Sequence, residues 1–125
     1  MTTCPFCNLE DDQVLLSNST AVVIRDGFPV TEGHSLVIPR RHIESLFDLT
    51  EEEFQDLGEL SSDVRRRLLD SDDTIEGFNI GVNDGTVAGQ TVPHCHVHII
   101  PRRAGDVANP RGGVRHVIPS KGNYP

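Results

Sequence analysis

Three histidines at alternate positions constrain the fold of this chain more than any other feature. They lie in the stretch QTVPHCHVHIIPRR, residues 90–103, and are His94, His96 and His98. Because successive side chains of a β-strand point to opposite faces, this spacing predicts a strand that carries all three imidazoles on one face. The residues that alternate with them, Cys95, Val97 and Ile99, are mostly apolar and are predicted to face the core.

A set of three imidazoles has several possible uses. Near neutral pH an imidazole can be a nucleophile, a proton-transfer group, a phosphate-binding cation or a metal ligand. A strand of buried, hydrogen-bonded histidines is the structural alternative, and we prefer it for a single histidine but not for three in alternation. A metal-binding module in which two or three of these histidines chelate one ion is a further alternative.

Length and composition predict the class of protein. A chain of 125 residues with 36% hydrophobic residues is expected to form a single domain over residues 1–125. It has no apolar run of membrane-spanning length and no basic-then-apolar leader, so we expect a cytoplasmic protein without a membrane partner.

The charge is unevenly distributed. The net charge is −8, but residues 1–100 carry 6 basic and 18 acidic side chains, whereas residues 101–125 carry 5 basic and 1 acidic. The acidic body argues against nucleic acid as a partner, since such binding needs broad phosphate neutralisation. Arg102 and Arg103 in the basic tail are either contacts for a small phosphorylated ligand or part of a solvated surface.

Short β-patterned runs and one long helical pattern predict an α+β fold. The expected strands are residues 14–17 and 20–25 as a hairpin, 34–38, 77–82 and the histidine strand. Thr50 followed by three glutamates is a capping box that predicts a helix start. The apolar face of that helix is predicted from steps of three and four, and consists of Phe54, Leu57, Ser61, Val64 and Leu68. Residues 104–125 are predicted to be irregular.

Two further segments carry candidate chemistry. The loop of residues 85–91 has glycines at both ends of a run of small residues, so its backbone amides can approach an anion. Cys4 and Cys7 form a Cys-x-x-Cys pair, which can give two thiolates to one Zn²⁺ that needs two more ligands. A flexible terminus or a redox pair is the alternative for these cysteines.

Taken together, these motifs resemble the histidine triad superfamily, whose signature alternates histidine with apolar residues. His94 to Ile100 fits that signature at every position, and residues 33–39, GHSLVIP, resemble the family's Gly-His strand. Residues 83–85 and 89–92 look like its phosphate loop. The segment PRRAGD, residues 101–106, is similar to the fragile-histidine-triad branch, which acts on dinucleoside polyphosphates. The chain departs from that branch at Asn83, where glutamine is usual, and at Asp26, where asparagine is frequent.

The resemblance implies an antiparallel sheet with one main packed helix, extended across a two-fold homodimer. It also implies a nucleotide hydrolase in which His96 attacks the α-phosphate and forms a nucleotidyl-histidine intermediate, while His98 contacts a phosphate oxygen. Asp26 is then expected to bind the ribose. The implied phosphate-binding residues are Asn83, Gly89, Gln90, Thr91 and Val92.

A structural zinc site is also implied, completed by two histidines beside the cysteine pair. Its expected ligands are Cys4, Cys7, His42 and His94. Mg²⁺ is expected to accompany the nucleotide or dinucleoside polyphosphate substrate. Phosphoramidate hydrolysis, nucleotidyl transfer and nucleotide-dependent regulation with little turnover are the alternatives within the same superfamily.

Overall fold

A five-stranded antiparallel sheet forms the centre of the computed structural model, which describes residues 3–125. Its strands are β1 (Leu16–Ser17), β2 (Ala21–Arg25), β3 (Ser35–Pro39), β4 (Gly77–Gly81) and β5 (Val97–Arg102). Their order across the sheet is β1-β2-β3-β5-β4, and every neighbouring pair is antiparallel. Together with the α-helix described next, this architecture confirms the predicted α+β class.

The α-helix α1, Glu51–Ser71, begins where the capping box predicts. The Thr50 hydroxyl accepts from the Glu53 amide, and the Glu53 carboxylate accepts in return from the Thr50 amide. Arg41 also donates to that carboxylate, and these hydrogen bonds lower the pKa of Glu53 to about 2. The start of the helix is therefore held by the local pair Thr50 and Glu53 and, from 12 residues before Glu53, by Arg41.

The buried stripe of α1 differs from the predicted one. It consists of Glu53, Leu57, Leu60, Val64 and Leu68. Phe54 is 56% exposed and Leu60 only 2%, so the prediction was wrong at these two positions. The reason is that the carboxylate of Glu53, engaged by Thr50 and Arg41, takes the first inward position. Steps of four, three, four and four then follow along the helix.

Helix α1 covers one face of the sheet. The core there includes Val23, Val37, Val97 and Ile99 from the strands. The opposite face carries a second apolar cluster made of Val22, Ile24, Leu36 and Ile38, against which Phe6, Leu9 and Val14 of the N-terminal segment pack. His98 pairs with Leu36 across β3 and β5 and so lies on this second face. The helix thus supports the sheet from behind the histidines.

Strand β5 is shorter than the predicted histidine strand. It starts at Val97, so His94 and His96 lie in the segment before it. The backbone amide of Cys95 donates instead to the carbonyl of Ile43, in the loop after β3. The three rings still lie together: the centroids of His96 and His98 are 5.1 Å apart, and Phe6 contacts the rings of both His94 and His96. Burial does not distinguish two sides, because His94 and His96 are buried as are Cys95, Val97 and Ile99.

The tail contains two short 3₁₀ helices, Gly113–Val117 and Pro119–Lys121, in otherwise irregular chain. Arg111 and Arg115 stack on the Tyr124 ring, and the ring of His116 donates to the carbonyl of Arg111. Within residues 3–125 there is no helix long and apolar enough to cross a membrane.

Candidate active site

A pocket of about 440 Å³ lies on the sheet face that carries His98. Its floor is apolar and includes Phe6, Leu9, Ile24 and Leu36. Its polar end is lined by residues that the sequence predicted for the site, namely Asp26, Asn83, Gly89, Thr91, Val92, His96 and His98. A pocket with an apolar floor and converging polar groups at one end suits an amphipathic ligand.

The ring of His96 is fixed by a backbone carbonyl. Its Nδ1 lies 2.8 Å from the carbonyl oxygen of His94, and a carbonyl can only accept, so Nδ1 carries the proton. The lone pair of the neutral ring is therefore on Nε2. His96 lines the pocket and its ring packs edge-on against Phe6, with centroids 5.0 Å apart. This arrangement gives His96 an oriented, nucleophilic nitrogen.

The proton on His98 is determined by a relay through His34. The amide of Val30 donates to Nδ1 of His34, which leaves the proton of a neutral His34 on Nε2. That Nε2 lies 2.9 Å from Nδ1 of His98, so His34 donates and His98 accepts. The proton of neutral His98 is consequently on its own Nε2, where it can be donated to a ligand oxygen.

Burial favours the neutral form of both rings in this relay. His34 is 3% exposed, and burial lowers its pKa although the Asp26 carboxylate opposes the shift. Burial also lowers the pKa of His98, and the neighbouring rings of His96 and His34 lower it further. His34 was not assigned a role from the sequence. The available signal was its position directly before β3, the strand that pairs with β5.

Asp26 lies at the edge of the pocket with both carboxylate oxygens close to donors. Oδ1 accepts from the amide of Phe28 at 2.8 Å, and Oδ2 lies 3.4 Å from Nε2 of His34 and 4.0 Å from Nδ1 of His98. The turn that follows β2 therefore fixes this carboxylate beside the two rings.

The loop between β4 and β5 forms the far wall of the pocket. Gly85 and Gly89 have φ of 98° and 95°, a region that favours glycine, and they flank the short 3₁₀ turn Thr86–Ala88. Gln90 is not one of the pocket-lining residues: its amide oxygen accepts from Gly85, and its amide nitrogen donates to the carbonyls of Glu44 and Val92. Gln90 thus shapes the loop that presents Gly89 and Asn83.

A group of possible metal ligands lies next to the pocket, where the structure brings together Cys4, Cys7, His42 and His94. The four ligand atoms lie within 4.8 Å of one another. Nδ1 of His94 is 3.4 Å from Sγ of Cys4 and 3.5 Å from Sγ of Cys7, and Nδ1 of His42 is 3.1 Å from Sγ of Cys7. Ligand atoms of a tetrahedral zinc are about 3.5 Å apart, given Zn–S and Zn–N distances of about 2.3 and 2.0 Å. The donor set and its spacing therefore fit a four-coordinate metal.

His94 connects this cluster to the pocket. Its Nε2–H donates to the carbonyl of Pro39 at 2.7 Å, which leaves Nδ1 directed at the two cysteines. Its own carbonyl is the group that orients His96. Burial lowers the pKa of His94, which favours the neutral, ligand-competent ring. The first and second histidines of the motif are thus linked by one hydrogen bond.

The guanidinium groups of Arg102 and Arg103 are engaged elsewhere. Arg102 pairs with Asp106 and donates to Asn79, while Arg103 pairs with Asp72 at the C-terminal end of α1 and donates to Thr74. Neither arginine lines the pocket of the triad histidines. Their charge is used to hold the tail and the chain around the end of α1.

Comparison with known proteins gives a consistent result. The family model described as HIT domain matches residues 8–105. The nitrilase and fragile histidine triad fusion protein of Caenorhabditis elegans is 42% identical over 99 residues, which cover 79% of this chain and 22% of that protein. The asymmetrical bis(5'-nucleosyl)-tetraphosphatase of Schizosaccharomyces pombe is 46% identical over 80 residues, which cover 62% of this chain and 42% of that protein. The chain therefore spans less than half the length of either relative.

Solved structures of histidine triad family proteins have the same fold as this chain. A Zn-bound histidine triad family protein from Mycobacterium smegmatis superposes with a TM-score of 0.70 at 35% identity, covering 77% of this chain and 69% of that one. The sheet, the helix behind it and the motif that supplies His94, His96 and His98 agree with the family match over most of the sequence. On these grounds the chain belongs to the HIT domain family.

Proposed function

We propose that this protein is a nucleotide hydrolase that cleaves dinucleoside polyphosphates at the α-phosphate through a nucleotidyl-histidine intermediate. The observation that carries the proposal is the orientation of His96, whose Nδ1–H is held by the His94 carbonyl so that its Nε2 lone pair is available in the pocket. Relatives named as dinucleoside polyphosphate hydrolases support the substrate class.

In the first step, Nε2 of His96 attacks the α-phosphorus and forms a P–N bond. The bond from that phosphorus to the bridging oxygen breaks, and the remaining nucleoside polyphosphate leaves with the electron pair. The Nε2–H of His98 donates to a phosphate oxygen and so stabilises the charge that develops there. His34 acts only by keeping the proton of His98 on Nε2.

In the second step, water attacks the same phosphorus, the P–N bond breaks, and the nucleoside monophosphate is released. The electron pair returns to Nε2 of His96, and the proton of the water is lost to solvent or to the product. His96 therefore ends in the state in which it began. Two displacements at one phosphorus, with histidine as the intermediate carrier, divide one difficult reaction into two easier ones.

The remaining site residues bind the substrate in this proposal. The apolar floor of Phe6, Leu9, Ile24 and Leu36 receives a nucleobase, and Asp26 accepts from the ribose hydroxyls. Asn83 and the backbone around Gly89, Thr91 and Val92 bind phosphate oxygens. Gln90 contributes by holding that loop in place.

We further propose that the cluster of Cys4, Cys7, His42 and His94 binds one structural Zn²⁺. Four protein ligands close the coordination sphere, so the ion would supply stability and not an open catalytic position. It would tie the N-terminal segment, which carries Phe6 of the pocket floor, to the residue whose carbonyl orients His96.

Phosphoramidate hydrolysis and nucleotidyl transfer use the same first step and differ only in the leaving group or the acceptor. The test therefore measures the hydrolysis of diadenosine polyphosphate and of a nucleoside phosphoramidate by the wild type and by His96→Ala. Diadenosine polyphosphate should be hydrolysed to adenosine monophosphate by the wild type only, and His96→Ala should still bind adenosine monophosphate with affinity of the same order. Wild-type protein that binds nucleotides but hydrolyses none of these substrates would instead identify a regulatory binding protein.

A further inference from the structure

A second pocket adjoins the one that holds His96. It measures about 620 Å³, within the range of roughly 300 to 1,000 Å³ that is typical of ligand sites. The two pockets share two residues, His98 and Asn83, which therefore form their common wall. A molecule that crosses from one pocket to the other must pass directly over the group proposed to bind phosphate.

The second pocket has its base on the same face of the sheet. Gly81 and Asn79 of β4 pair with His98 and Ile100 of β5, so these four residues point to one side. Gly81 has no side chain, and a Cβ at this position would meet no atom within 4 Å. The absence of a side chain beside His98 leaves the space open.

The tail forms the outer wall. Val114 and Val117 of the 3₁₀ helix Gly113–Val117 line the pocket together with Val30 and Ile80. These four aliphatic side chains are between 53% and 78% exposed. A concentration of exposed aliphatic groups around one cavity is characteristic of a surface that binds an apolar or aromatic group.

We propose that this second pocket binds the leaving nucleoside of a dinucleoside polyphosphate. The inference rests on the proposed function: one nucleoside occupies the pocket of His96, the phosphate chain crosses His98 and Asn83, and the second nucleoside lies against the tail. The tail thereby determines whether the enzyme prefers substrates with two nucleosides to substrates with one.

The first test fills the pocket with Gly81→Val. The matched control is Gly77→Val, which is in the same strand, faces the same side and also has no atom within 4 Å of an added Cβ, but lies outside the pocket. The value of kcat/KM for diadenosine tetraphosphate should fall about tenfold in Gly81→Val, because a base that cannot be buried loses apolar contact. That for adenosine 5'-phosphoramidate, which lacks a second nucleoside, should stay within about twofold.

Because Gly81→Val could also disturb the neighbouring His98, a second variant changes the pocket at a different wall. The double substitution Val114→Ser and Val117→Ser removes apolar surface from the outer wall and should give the same selective loss, whereas Ile118→Ser in the same tail should not. Ile118 is also exposed but does not line the pocket.

Equal losses for the two substrates, or no loss for the dinucleoside substrate, would overturn the inference. So would sedimentation showing that either set of variants converts a dimer to monomers, because the surface would then be an interface between copies. Failure of wild-type protein to hydrolyse either substrate would contradict the proposed function itself.

Discussion

Four histidine rings at and beside the site have their proton positions fixed by neighbouring groups that the sequence does not reveal. The proton is on Nε2 in His34, His94 and His98, and on Nδ1 in His96. The alternation of His94, His96 and His98 predicted a common side for the rings and a buried side for the residues between them. The tautomer of His94 depends on the carbonyl of Pro39, 55 residues away in the chain. That of His34 depends on the amide of Val30, four residues away, through the turn that precedes β3. His34 lies next to His98 because β3 pairs with β5 in the sheet.

The buried, neutral state of His34 should make stability depend on pH. Its folded pKa lies below the ordinary value of 6.5, so the unfolded chain binds more protons as the pH falls below that value. The stability that His34 contributes is fully present above pH 6.5. It is lost as the pH falls from 6.5 toward the pKa of His34 in the folded protein. Urea unfolding between pH 5 and 7.5 should therefore give a steeper fall in the free energy of unfolding for wild type than for His34→Gln. Parallel curves would show that His34 does not titrate in this range.

Cys95 should be a core residue and not a nucleophile. It is 1% exposed, and burial raises the pKa of its thiol to about 11, with Asp84 adding to the shift. Cys95→Ala should lower the free energy of unfolding by about 1 to 2 kcal/mol through lost packing, while kcat stays near the wild-type value. Denaturant unfolding and steady-state kinetics on the same preparation measure both. A stable but inactive variant would contradict this assignment.

At the scale of the elements, local signals predicted where structure starts better than which residues it buries. The capping box at Thr50 and the hairpin of β1 and β2 were confirmed, and β3 lies within one residue of the predicted range 34–38. The helix stripe was misjudged because Glu53 is both a cap and a partner of Arg41, and this long-range pair turns a charged residue inward. Strand β5 is likewise shorter than predicted because the backbone amide of Cys95 donates its hydrogen bond to the carbonyl of Ile43, which is distant in the sequence.

The capping box should contribute measurably to stability. Thr50→Ala removes the hydroxyl that accepts from the Glu53 amide and should lower the free energy of unfolding by about 1 kcal/mol. Ser62→Ala, an exposed site within the same helix, provides the control and should be neutral or slightly stabilising. Chemical denaturation followed by circular dichroism measures both variants, and equal midpoints for them would show that the cap is dispensable.

For the whole molecule, the metal cluster is the feature that connects distant parts of the chain. It joins residues 4–7 to His42 after β3 and to His94 before β5. Four expectations stay predictions: the bound zinc, the Mg²⁺ that accompanies the substrate, the two-fold dimer and the single domain over residues 1–125. A dimer that joins two sheets would do so at one of the edge strands, β1 or β4, where backbone groups are free to pair.

Purified protein should carry close to one Zn²⁺ per chain. Cys4→Ser should lower both the zinc content and the melting temperature, because binding energy at a closed site is folding energy. Elemental analysis and thermal unfolding are the measurements. Cys95→Ala is the control for zinc content, which it should leave unchanged because that cysteine lies outside the cluster. Unchanged stability after complete removal of zinc by a chelator would exclude a structural role.

The most direct test of the whole account is to trap the intermediate on His96. Protein mixed with diadenosine polyphosphate labelled at the α-phosphate should be quenched in alkaline denaturant, which preserves P–N bonds, then digested and sequenced by tandem mass spectrometry. Adenylyl label should be found on His96 in wild type and in Cys95→Ala, and should be missing from His96→Ala, which should also be inactive. Label on Cys95, or near wild-type hydrolysis by His96→Ala, would contradict the mechanism.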